Sequence, residues 1–199
     1  MIRDDRAMTR LPTTIAGAEM LDYARDLLVR ISEAGEVDSP FEAIEGQAIF
    51  RKLLRLMLMT SDGRSLLVAL AQAGETDARI VLRETIAEAR SWHRELPVEL
   101  EFYELQLLGG PLPAAPAGQQ PKDRLARDIA IAFAVAVVCD RFGLKPTQSS
   151  VRKRSGCKLI AEALDVVQKA RSYDLVRSIW RRYGRAMPTQ FGWVKFLES

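Results

Sequence analysis

The sequence is poor in the residues that hold metals and cofactors. It has one histidine, His93, and two cysteines, Cys139 and Cys157. A structural zinc site needs four such ligands at close spacing, so no metal is expected. Two thiols do not make a disulfide framework either. Neither G-x-G-x-x-G nor G-x-x-x-x-G-K-[ST] occurs, and Gly109-Gly110 is followed by proline, so no standard phosphate loop is present and no cofactor is expected. The G-x-S-x-G elbow of serine hydrolases is missing as well. The longest unbroken apolar run is 129–139, eleven residues. A membrane-spanning helix needs about 20, so no membrane partner is expected. The first residues, MIRDDRAMTRLPTT, are charged and lack the apolar stretch of a secretory leader. These absences together lead us to expect a cytoplasmic protein with reduced thiols that is not an enzyme.

What is present is apolar residues at helical spacing and an uneven charge. The chain has 199 residues and 48% are hydrophobic, enough to bury a sizeable core. The formal net charge of +3 divides unevenly. Residues 1–108 carry 13 Lys and Arg against 19 Asp and Glu, a net of −6. Residues 122–199 carry 16 against 7, a net of +9. The change of sign falls across 109–121, GGPLPAAPAGQQP, whose four prolines and three glycines exclude helix and strand. We therefore read an acidic helical subdomain over 1–108, a linker or long surface loop over 109–121, and a basic helical subdomain over 122–199. The alternative is one continuous domain. A charge split of this kind points to a polyanionic partner, or to two halves that attract each other.

Helix signals recur along the chain and strand signals are scarce. Apolar residues recur at helical spacing from 14 to 33. Ser39-Pro40-Phe41-Glu42 has the order of a helix start, with a capping hydroxyl, a proline in the first turn and a glutamate to reach back. Further helices are expected to about residue 60, over 64–72, and from Thr76 or Asp77 to about 94. Residues 97–108 fit two patterns. Val98, Leu100 and Phe102 alternate as in a strand, while Leu100, Tyr103 and Leu107 repeat as in a helix; the Glu and Leu content favours helix. Residues 125–142 are apolar on all sides over their middle turns, which in a globular chain marks a helix surrounded by others. Two more helices are expected from Ser155 and from Tyr173. The fold class is thus all-α, a bundle of about seven to eight helices around the apolar helix 125–142.

The functional candidates lie in the basic half. In the last helix, Arg177, Arg181 and Arg185 recur every fourth residue, with Arg182 beside them. They span about 12 Å at helical rise, comparable with a few phosphates of one strand. Arg152, Lys153 and Arg154 form a second cluster at a helix start, where free amides and the helix dipole favour anions, and Lys158 follows one turn on. The plain alternative for all eight residues is an ordinary solvated face. About a dozen residues separate the two preceding helices, against three or four in a helix-turn-helix, so direct base reading is not expected. Phe191, Trp193 and Phe196 follow Pro188; they either close the core or anchor a partner or a second copy. Cys157 sits among cations at a helix start, which lowers a thiol pKa, but its plain reading is core packing. The carboxylate pairs Glu84/Glu88 and Glu101/Glu104 read equally well as solvated faces. The leading expectation is a non-enzymatic binding protein whose basic surface contacts nucleic acid or another polyanion. The runner-up is a protein–protein adaptor or homo-oligomer that meets an acidic protein. A small enzyme built on Cys157 or a carboxylate site is the third.

Overall fold

A computed structural model of the chain describes residues 15–33, 48–110, 122–148, 154–166 and 171–188. All regular structure among them is helical: α1 (Ile15–Glu33), α2 (Ala48–Met57), α3 (Ser61–Gln72), α4 (Thr76–Ser91), α5 (Val98–Leu108), α6 (Lys122–Phe142), α7 (Gly156–Val166) and α8 (Tyr173–Tyr183), with a 3-10 turn over Gly184–Ala186. The all-α helical bundle expected from the sequence is the fold of the protein. The Ser39 helix start and the segment 109–121 from Pro111 onward lie outside the described residues.

The ambiguous segment 98–108 is a helix because only a helix sorts its apolar residues by burial. As a strand, Val98, Leu100 and Phe102 would share one face. In α5, Leu100 is 1% exposed while Val98 and Phe102 are 73% and 56% exposed. Leu100 and Tyr103 face the core, three residues apart on one side of the helix. Val98, Phe102, Leu105 and Leu108 are left in solvent as an apolar stripe.

Helix α3 starts three residues earlier than its apolar spacing suggests. Thr60 accepts a hydrogen bond from the Gly63 amide at 2.9 Å and caps it. Gly63 is not a breaker here; it permits a close approach. A Cβ at this position would lie 2.0 Å from the carbonyl oxygen of Met57. The same Thr60 hydroxyl donates to the Ala186 carbonyl at 3.1 Å, tying the α2–α3 corner to the turn after α8.

Every residue of α6 from Ile129 to Val138 is buried, and the helix packs against α1, α2, α7 and α8. Gly143, at φ +61°, ends it in the left-handed region that a glycine enters without strain. Helix α1 packs on both α6 and α7, α2 on α6, and α3 on the 3-10 turn. Apolar burial therefore runs across the boundary where the charge changes sign. Among the described residues, charge pairing does not. Each ion pair between two described residues stays within one half: Arg25–Asp22, Arg51–Asp77, Arg55–Glu84, Arg64–Glu99 and Arg90–Glu104 in the acidic half, Arg127–Asp128 and Arg154–Glu162 in the basic half.

Candidate functional site

The fold brings together the first two turns of α6 and one face of α8. Between them lies a groove of about 690 Å³. Helix α6 contributes Arg124, Arg127 and Asp128; α8 contributes Leu175, Ser178, Ile179, Arg181 and Arg182; Arg171, just ahead of α8, completes the lining. Ser172 sets where α8 begins, its hydroxyl accepting from the Leu175 amide at 3.3 Å, and so fixes Arg171 at the rim.

Five guanidinium groups thus share a groove with one carboxylate. Asp128 is buried and taken by its neighbour: Arg127 Nε and Nη2 donate to Asp128 Oδ1 at 3.2 and 3.0 Å. Among the described residues, no carboxylate pairs with Arg124, Arg171, Arg181 or Arg182. The guanidinium of Arg182 sits 5.9 Å from the centre of the Tyr183 ring, which holds it at the groove wall. Burial pushes the Tyr183 hydroxyl pKa up, so this ring stays neutral beside the arginines. Like charges gathered without counter-charges repel one another, and an anion entering the groove relieves that repulsion while accepting forked hydrogen bonds.

The sequence candidates separate once placed. Arg181 and Arg182 line the groove; Arg177 and Arg185 do not. Arg177 is half-buried, with its Nε enclosed and without a hydrogen-bond partner among the described residues, and its charge acts on Cys157 in the core. Arg185 is exposed in the 3-10 turn. Arg154 serves the fold: it donates to the Gly17 carbonyl and to Glu162. Arg152, Lys153, Phe191, Trp193 and Phe196 lie outside the described residues. The start of α7 has its own acceptors. The amides of Gly156 and Cys157 donate to the carbonyls of Lys145 and Pro146, each at 3.0 Å. The Lys158 amide reaches the Ser155 hydroxyl at 3.3 Å. Few free amides remain there for an anion.

The sequence reading passed over Arg124 and Arg127, because the apolar run that follows them marks α6 as a core helix. Lys122 and Arg124 flank Asp123 in the first turn of a helix, where the dipole favours the acid over the two cations.

Cys157 lies in surroundings that disfavour a thiolate. Cys157 is fully buried, and burial pushes its thiol up to about 12. Arg177 acts to lower it, and loss of solvent outweighs that charge. Cys139 is pushed up to about 12 by the same cause, and its Sγ occupies the space where a Cβ on Gly156 would stand. Glu84 is bonded to Arg55 and Glu104 to Arg90. No group of His, Cys, Asp and Glu among the described residues has the arrangement of a metal site. No described helix is long and apolar enough to cross a membrane. Comparison of the chain with protein-family models, with curated proteins and with solved structures finds no match.

Proposed function

We propose that the protein works by binding a phosphate-bearing polyanion, nucleic acid in the first place, in the groove between α6 and α8. The observation that carries this is the five arginines gathered around one carboxylate that is itself already paired. Phosphate contacts of this kind give affinity and register without base reading. The test is binding of labelled single-stranded RNA and duplex DNA by the full chain across a salt series. Affinity is expected to fall steeply with salt, and each of Arg124→Ala, Arg181→Ala and Arg182→Ala to lower the slope by about 0.7–0.9. Absence of binding to either probe at low salt defeats the proposal. A cytoplasmic location is part of this reading, and two free, shielded thiols suit a reducing compartment.

A second reading, contact with a protein, is favoured by the stripe Val98, Phe102, Leu105 and Leu108 on α5. Helix α5 has no cation; Glu99 and Glu104 are bonded to Arg64 and Arg90, and Glu101 stands exposed beside the stripe. Two copies packed stripe to stripe would bring their glutamates together, so the occupant that fits is a basic amphipathic helix of another protein. A helical Leu/Lys peptide is expected to bind the full chain, to lose affinity on Phe102→Glu, and to outbind its Leu/Glu counterpart. Equal binding of the two peptides, or self-association abolished by Phe102→Glu, rules this occupant out.

A further inference from the structure

The arginine groove does not end at Arg171. The same side chain also borders a second hollow, of about 410 Å³, between α7 and the start of α8. Its other lining groups include Lys158, Glu162, Asp165 and Tyr173. The two spaces differ in chemistry. The groove holds an excess of cations and no aromatic lining residue. The hollow presents an aromatic ring and two carboxylates. Glu162 is bonded to Arg154 at 3.0 Å; Asp165 is exposed and pairs with no described cation. The Tyr173 hydroxyl lies 3.5 Å from the Gln148 carbonyl oxygen, which directs its polar end to the α6–α7 connection and leaves the ring as wall.

A phosphate suits the first space better than the second, where Asp165 stands beside Lys158 and Arg171 and lessens the excess of positive charge. Groups that suit the second are flat rings, base amino groups and ribose hydroxyls, which stack on an aromatic or donate to a carboxylate. Phosphates beside a stacking ring are what an unpaired strand offers. A duplex keeps its bases stacked inside and brings only phosphates and sugars to a side pocket.

We infer that the ligand of this surface is single-stranded nucleic acid, its phosphates following the groove arginines while one nucleoside passes over Arg171 into the Tyr173 hollow. This deepens the polyanion reading above and rests on it. The hollow provides the contact with a base that the groove lacks, so the protein prefers unpaired strands without strong sequence choice.

Binding to the full chain is measured at one salt concentration by fluorescence anisotropy. The probes are a single-stranded RNA of about 12 nucleotides, within the range such sites cover, a duplex and an inorganic polyphosphate of matched charge, and ATP as competitor. The single strand is expected to bind at least about tenfold tighter than the duplex or the polyphosphate. Tyr173→Ala is expected to weaken single-strand binding by about 5- to 150-fold, the worth of one stacked base, and to leave polyphosphate binding unchanged. Tyr173→Trp keeps a stacking ring and retains the preference, which separates loss of stacking from loss of fold. Equal affinity for single strand and duplex overturns the inference, as does a Tyr173→Ala protein that keeps its preference, or ATP competing with the affinity of the whole strand. In those outcomes the polyanion reading still stands. If polyphosphate, RNA and duplex all fail to bind, that reading falls as well.

Discussion

Arg154 Nη1 donates to the carbonyl oxygen of Gly17 at 2.6 Å, and the missing side chain of Gly17 makes room for it. A Cβ there would stand 2.8 Å from the same nitrogen. The bond joins α1, from the acidic half of the chain, to the start of α7 in the basic half, and Glu162 steadies the guanidinium from the other side. A residue that looks on paper like part of an anion-binding cluster is thereby a clamp between two helices. Arg154→Ala is expected to cost about 1–2 kcal/mol of stability, the range for a charge-assisted hydrogen bond that is partly exposed. Gly17→Ala shifts only the flexible end of the same guanidinium and gains helix propensity, so its cost is expected to be smaller than that of Arg154→Ala. Chemical denaturation checks both, and polyanion affinity should stay near wild type.

The groove and the sequence stripe predict different arginines. Arg182→Ala is expected to weaken RNA binding and reduce its salt slope, whereas Arg185→Ala, outside the groove, leaves both unchanged. Periodicity along α8 treats the two alike. Equal losses from both substitutions would show that binding spreads over the basic face and is not confined to the groove.

Both thiols should be inert. Ellman's reagent is expected to label neither Cys139 nor Cys157 in the native protein at neutral pH, and to label both in denaturant. Their raised pKa values also set an alkaline limit. Between the ordinary thiol value of 9.0 and about 12, the unfolded chain gives up thiol protons that the folded chain keeps. Stability is thus retained below pH 9 and falls as pH rises through that window. Cys139→Ala should lessen the alkaline loss, as seen in melting temperature against pH.

The acid limb has a different origin. Arg64, bonded at 3.0 Å, and Ser61, at 2.5 Å, hold the Glu99 carboxyl down at about 2. Its contribution is present above the ordinary value of 4.5 and is lost as pH falls toward 2. Glu99→Gln is expected to cost on the order of 1 kcal/mol at neutral pH and to flatten the acid limb of the stability curve. An unchanged limb would place the acid transition elsewhere.

Among the described residues, Tyr103 is the largest fully buried side chain, and its hydroxyl finds no hydrogen-bond partner there. Burial pushes its pKa up. Removing an unsatisfied buried hydroxyl relieves a desolvation cost, so Tyr103→Phe is expected to be neutral or to stabilise by up to about 1 kcal/mol. A clear loss in thermal melting would reveal a partner for the hydroxyl.

The sequence by itself determined that the chain is helical and where its apolar faces lie. Apolar period is a local property, and burial in the bundle obeys it: Ile129 to Val138 are buried because no side of that helix is polar enough to face water. Caps such as Ser172 could also be read locally, since they act over three residues. What the tertiary structure decided was which cations meet. Arg124 and Arg127 are some fifty residues from Arg181 and Arg182 in sequence, and only the packing of α6 on α8 puts them around one groove. The packing of α1 on α7 engaged Arg154, and the core enclosed the Nε of Arg177 and buried Cys157, overriding the neighbours that mark it as reactive. Helix spacing sorts residues within one helix. A charge site between two helices depends on their mutual placement, which no local period encodes.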